Sequence, residues 1–169
     1  MDINTIIIDD FLPQPDLVRA SALNAEYEEG LDYPGYRSGT ADNDYQMFIH
    51  TRFQDILQCK IAEFNGASFC FQLCDSDTQT WVHKDHSDWA GVLYLTPDAP
   101  LDSGTGIFEE KNGELELCTA IGNKYNRLVL YRGDMLHSSI VAGFGDNKEN
   151  ARLTQVFFFN IEGKVGGGW

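Results

Sequence analysis

His83-Lys84-Asp85 sets an imidazole and a carboxylate two positions apart. On an extended strand residues i and i+2 point to the same side, so both side chains can reach one metal ion. The spacing alone is weak evidence. Four histidines and 26 acidic residues in 169 positions give roughly 0.6 triplets of the form H-x-[DE] by chance. A surface histidine beside an aspartate would explain it as well. A third candidate ligand, His137, follows the apolar run 127–131 (RLVLY) and the turn at Gly133-Asp134. Two histidines and one carboxylate on one face of an iron(II) ion leave three positions open for other ligands. Zinc more often takes a closed tetrahedral set, often with cysteine, and no cysteine is placed to join these three.

Arg152 heads an intensely apolar strand, 151–159 (ARLTQVFFF). A buried guanidinium needs an anionic partner, and a carboxylate is the partner that fits its fork. Thr154, two residues on, faces the same side and can add a hydrogen bond. The strand could therefore clamp a dicarboxylate whose other end chelates the metal. An arginine at a strand edge in water is the plainer alternative.

Other polar residues carry weaker signals. His86 and Asp88 flank the triplet and read as a solvated loop, and His50 reads as a surface residue. Residues 33–38 (YPGYRS) form a candidate lid, in which Tyr36 could pack on a substrate and Arg37 could pair with an anion. Trp81 and Trp89 read as core and rim rather than as substrate-binding residues. Arg132-Gly133-Asp134 spells an integrin-type tripeptide but serves better as a turn before His137. Cys70 and Cys74 read as buried free thiols on one side of a strand.

The elements that must position these residues fall into two textures. Pro13 to Asp16 open a helical segment, Leu17 to Glu29, which Gly30 ends. Residues 32–44 are turn-rich and read as a loop. A second helix is expected from about Thr51 to Phe64, with Phe53, Ile56, Leu57 and Ile61 on one face. From residue 67 short β-rich runs alternate with turns: 68–73, 80–83, 90–95, 106–109, 115–119, 127–131 and 153–160. Asn112-Gly113 between two of them is a strong hairpin signal. This pattern predicts a mainly β chain with N-terminal helices, its core a double-stranded β-helix or jelly roll. The expected layout is one domain over 1–162, helical to about 66 and jelly-roll from about 67, with a flexible Gly-rich tail at 163–169.

Bulk composition narrows the class. A net charge of −14 with scattered Lys and Arg leaves no patch for nucleic acid. No stretch is long and apolar enough for a membrane span, and the start of the chain lacks a signal peptide's basic and apolar regions. The four cysteines form no C-x-x-C pair. A reducing cytoplasm is the expected location.

In combination the motifs resemble the Fe(II)/2-oxoglutarate-dependent oxygenases, in the branch related to prolyl hydroxylases. The order is H-x-D at 83–85, VLYL at 92–95, GTGIF at 104–108, the distal His137, then R-x-T at 152–154. Residues 8–12 (IDDFL) look like the entry segment common there, so the resemblance spans about 6–160. It implies that His83, Asp85 and His137 hold Fe(II), and that Arg152 and Thr154 hold the far carboxylate of 2-oxoglutarate. Tyr94 matches a tyrosine that often reaches the same carboxylate. Many relatives also have a tyrosine about ten residues before H-x-D; here that place reads Gln72-Leu73. The implied reaction hydroxylates a C–H bond of a protein side chain, amino acid or small metabolite, releases succinate and CO2, and is compatible with ascorbate as an auxiliary reductant. Halogenation is disfavoured because it needs the carboxylate ligand absent. Oligomeric state is open. Two rivals make different structural demands. In a non-catalytic jelly-roll binding or structural module, residues 83, 85 and 137 would not converge. A cupin-like metal enzyme without 2-oxoglutarate would leave Arg152 in solvent.

Overall fold

The computed structural model describes residues 3–30 and 32–163. The expected tail, 163–169, lies outside these residues apart from Gly163. In chain order the elements are β1 (Thr5–Ile8), α1 (Pro15–Asn24), β2 (Tyr27–Glu29), β3 (Tyr36–Thr40), α2 (Asn43–Leu57), β4 (Ile61–Phe64) and β5 (Cys70–Cys74). There follow β6 (Trp89–Tyr94), a short 3-10 turn (Leu101–Ser103), β7 (Thr105–Lys111), β8 (Glu114–Ile121), β9 (Leu128–Arg132), β10 (Leu136–Ser139) and β11 (Arg152–Ile161).

The side-chain alternation of two central strands sets the layers. In β6, Trp89 and Leu93 face one way, while Ala90, Val92 and Tyr94 face the other. β9 divides likewise into Leu128 and Leu130 against Val129 and Tyr131. These strands are apolar on both faces because both faces are covered. They belong to an antiparallel sheet in the order β1-β9-β6-β11-β5-β3-β2, with β4 pairing the far end of β11. One face packs on α1 and α2 through Ala22, Ile49 and Phe53. The other packs on a smaller sheet, β10-β7-β8, through Ile107 and Ile121. The chain is therefore mainly β, with the two facing sheets of the expected jelly roll. No helix among the described residues is long and apolar enough to cross a membrane.

The helix-side core is aromatic. Phe53 sits with its ring 5.1 Å from Phe157 and 5.3 Å from Phe159, and it is fully buried. Phe53→Ala is expected to cost about 3–5 kcal/mol of stability, the usual range for emptying such a site. Equilibrium urea unfolding measures this, and a loss under about 1 kcal/mol would mean the helix layer is not part of the core.

Several boundaries differ from the sequence reading. The first helix ends at Asn24, and Tyr27–Glu29 is a strand paired with Tyr36–Thr40 inside the expected loop. A free sheet edge beside β5 supplies hydrogen-bond partners that the local composition does not reveal. The second helix begins at Asn43, because the Asp42 side chain caps it by accepting from the Tyr45 amide at 3.0 Å. It ends at Leu57, and Gln58 takes a left-handed conformation with φ 51°. Ile61–Phe64, expected as helix, instead pairs with β11. His50 is consequently a helix residue, half-buried with its ring 6.0 Å from Phe64. Residues 80–83 form no regular strand; only His83 bridges to His137. The Asn112-Gly113 hairpin forms as expected, with both residues at positive φ between β7 and β8.

Candidate metal centre

His83 and His137 come together through the backbone. Each donates its amide hydrogen to the other's carbonyl, at 3.0 Å and 2.9 Å. Directly opposed residues of an antiparallel bridge project to the same side. Asp85 is brought in by a different device. Its amide donates to Gly133 O at 2.7 Å, and the Gly133 amide donates to Asp88 O at 3.0 Å. A Cβ on residue 133 would lie 2.0 Å from Ser87 O, so only glycine lets the 85–88 loop close on this turn. The turn read at Gly133-Asp134 thus anchors the carboxylate as well as leading to His137.

The ring orientations decide what the cluster can bind. His83 Nδ1 lies 3.0 Å from Trp81 O, and His137 Nδ1 lies 2.9 Å from Met135 O. A carbonyl only accepts, so each neutral imidazole carries its proton on Nδ1 and turns the Nε2 lone pair inward. His137 Nε2 is then 3.3 Å from Asp85 Oδ2, and His83 Nε2 is 3.8 Å from Asp85 Oδ1. Oδ2 is buried and has no hydrogen-bond donor among the described residues. Three acceptors thus converge, all within 4.8 Å of one another. Acceptors facing one another are unfavourable unless a cation sits between them. Ligands at about 2.1 Å on cis positions of one ion stand about 3 Å apart, so the 3.3 Å His137–Asp85 pair is near that spacing and the wider pairs must draw in to hold a metal. The site residues therefore fit a divalent ion.

A cavity of about 70 Å³ adjoins the cluster. Arg152 and Thr154 reach it from β11, Gln72 from β5, Thr105 from β7 and Tyr131 from β9. Arg152 is only 5% exposed, yet no carboxylate lies within ion-pair distance of it among the described residues. Its Nε donates to Ser103 O at 3.3 Å. Thr154 Oγ1 is 3.5 Å from Gln72 O, at the edge of hydrogen-bond range. Tyr94 stands behind the wall. Its hydroxyl shares a 2.6 Å hydrogen bond with Thr105 Oγ1, and the Arg152 guanidinium carbon lies 5.8 Å from its ring centre. Burial pushes the Tyr94 phenol up, and the Arg152 charge partly opposes that shift. The three cosubstrate candidates are therefore together, with Tyr94 one layer deeper than the other two.

Sequence reasoning missed Tyr131. It is buried, its ring centre is 4.5 Å from that of His137, and burial, reinforced by the Asp85 charge, holds its phenol well above the usual range. The alternation of 127–131 would have put it on the face of Val129, but nothing local says which face meets His137. Trp81 is exposed with its ring 6.2 Å from His83, a rim position, and Trp89 is core, the reverse of the sequence reading, because Trp89 opens β6 on its helix-facing side. His86 is exposed. Asp88 is tied to β11, where its Oδ2 accepts from the Ile161 amide at 3.1 Å. Cys70 and Cys74 are buried free thiols. A larger cavity, about 570 Å³, lies between the helices and β3, lined by Leu17, Tyr45 and Phe48. No cluster of three or more ligating side chains adjoins it among the described residues.

Comparison with known proteins adds the fold. A family of unknown function (DUF6445) matches residues 109–159, a stretch that includes His137, Arg152 and Thr154 but not His83 or Asp85. No curated protein matches the sequence. Among solved structures, a prolyl-4-hydroxylase from Pseudomonas putida superposes with a TM-score of 0.58 at 18% identity, over 92% of this chain and 91% of its own. A prolyl hydroxylase from Trichoplax adhaerens, solved with a hypoxia inducible factor oxygen degradation domain peptide fragment, gives 0.60 at 11%, over 92% and 83%. HygX from Streptomyces hygroscopicus, with nickel, 2-oxoglutarate and hygromycin B bound, gives 0.63 at 10%, over 92% and 82%. At these identities the likeness is one of fold: the chain has the jelly roll of these proteins.

Proposed function

We propose that the chain is an Fe(II)- and 2-oxoglutarate-dependent oxygenase that hydroxylates a C–H bond of a protein side chain or small metabolite. The observation that carries this reading is the convergence of His83 Nε2, His137 Nε2 and an Asp85 carboxylate oxygen that has no donor among the described residues. It disfavours a non-catalytic jelly-roll module, which needs no such cluster. Arg152, lining the same cavity with no carboxylate at ion-pair distance among the described residues, disfavours a cupin-like metal enzyme without a dicarboxylate cosubstrate.

His83, Asp85 and His137 would hold the iron, leaving one side of it open toward the cavity. Iron and 2-oxoglutarate together supply the oxidising chemistry, consuming O2 and releasing succinate and CO2. Arg152 takes the far carboxylate, and Thr154 can donate beside it. Tyr94 can donate to that carboxylate if it accepts the Thr105 proton rather than giving its own. The apolar walls, Val92 and Val156 among them, keep bulk water from the reacting group. Charge supports the reading: a divalent ion, Asp85, a doubly charged cosubstrate and Arg152 together are neutral.

Anaerobic addition of Fe(II) and 2-oxoglutarate is expected to give a weak visible charge-transfer band, and admission of air should release succinate. A chain that shows no band and forms no succinate is not an oxygenase of this kind.

A further inference from the structure

A second guanidinium faces the same cavity. Arg37, on β3, is half-buried, and its fork is held in place. Nε and Nη2 both donate to Gln72 Oε1, at 3.2 Å and 3.1 Å. The Gln72 amide is itself fixed, because its Nε2 donates to Pro34 O at 2.9 Å. The Tyr33 ring centre lies 4.3 Å from the guanidinium carbon, and the Phe158 ring centre 5.7 Å. These contacts orient the cation, but none neutralises it.

That is an unusual choice for this chain. It has 26 acidic residues, yet among the described residues none makes an ion pair with Arg37. Nη1 makes no hydrogen bond among them either. Taking a guanidinium partly out of water with only neutral partners is costly, which is why such groups are usually found opposite an anion. Burial accordingly lowers its proton affinity. With the metal, Asp85, 2-oxoglutarate and Arg152 together neutral, Arg37 adds one positive charge that nothing in the cavity offsets.

We infer that Arg37 recognises an anionic group, a carboxylate or a phosphate, on the substrate, and holds it against the cavity wall while the reacting C–H bond faces the His83–Asp85–His137 cluster. The inference rests on the proposed function and narrows the substrate to an acidic molecule. Arg152 and Arg37 divide the work: the first, almost fully buried, takes the cosubstrate, and the second, nearer the surface, takes the substrate. Gln72 is then a positioning residue, holding the guanidinium so that its free edge stays presented.

The test uses the full chain loaded with Zn(II) in place of iron and saturated with 2-oxoglutarate. Acetate, inorganic phosphate and neutral acetamide are titrated in turn while the Arg37 guanidinium N–H signals are followed by NMR. Acetate or phosphate is expected to shift them saturably, and acetamide is not; the tighter of the two anions tells which group the substrate carries. Arg37→Gln should weaken that binding about tenfold or more, and Arg37→Lys, which keeps the charge and loses the fork, should weaken it less. In both variants 2-oxoglutarate affinity by calorimetry should stay within about threefold. No saturable shift with either anion, or anion binding unaltered in Arg37→Gln, overturns the inference. A tenfold loss of 2-oxoglutarate affinity also overturns it, because Arg37 would then belong to the cosubstrate. Failure of the parent reading is visible separately: the wild-type chain would bind neither metal nor 2-oxoglutarate, and the inference would fall with it.

Discussion

Asp85→Ala is expected to weaken Fe(II) binding by roughly a hundredfold or more and to abolish succinate release, while leaving the metal-free protein as stable as before or more so. The two effects have opposite signs for one reason. Asp85 Oδ2 is buried, has no donor among the described residues and faces the lone pair of His137 Nε2 at 3.3 Å. A buried acceptor left unsatisfied costs about 1–3 kcal/mol, so removing it relieves the folded state. Its amide, which holds the loop to Gly133 O, survives the substitution. With metal present the comparison reverses. The wild type gains RT ln(1 + [L]/Kd), about 2.7 kcal/mol at a hundredfold excess over Kd, and the variant gains almost none of it. Thermal unfolding with and without Fe(II), kept anaerobic, reads both signs. A variant less stable than the wild type without metal would make Asp85 a structural residue.

Arg152→Met should leave metal binding intact and weaken 2-oxoglutarate binding by roughly 10²- to 10⁴-fold. Two charge-assisted hydrogen bonds of about 1.5–3 kcal/mol each set that range. Methionine fills similar space without charge, and the residue it replaces is 5% exposed with no acidic partner among the described residues. Exchanging a buried, unpaired charge for an apolar side chain is often neutral or stabilising, so the fold should hold. Within the protein, the substitution removes the 3.3 Å hydrogen bond that Nε donates to Ser103 O. Calorimetric titration of 2-oxoglutarate into the metal-loaded variant measures the effect. Affinity within threefold of the wild type would leave Arg152 without its assigned role and would reopen the cupin-like alternative.

Much of this site was legible in the chain order. His83 and Asp85 lie two residues apart, and Arg152 and Thr154 lie two apart on a strand whose other face is Leu153, Phe157 and Phe159. Alternation of that kind is local, so it can be read from the sequence and survives into the fold. The helix boundaries were less legible for the opposite reason. Ile61 continues the helical spacing of Phe53 and Leu57, but pairing with β11 outweighs it, and that partner lies about a hundred residues away. Sheet edges recruit whatever chain passes them, which is why residues inside an expected loop became β3.

The triplet at 83–85, about as frequent as chance allows, remained ambiguous until His137 was placed opposite His83. By itself the sequence determined the residue types, the two-residue spacings and the alternating strands that put chemistry on one face and core on the other. The tertiary structure decided which faces meet. It tied both Nδ1 atoms to carbonyls, closed the 85–88 loop on Gly133, buried Asp85 Oδ2 without a donor among the described residues, and set two guanidinium groups in the adjoining cavity. These are long-range contacts, set by strand register and by a turn into which only glycine fits, and no local pattern encodes them.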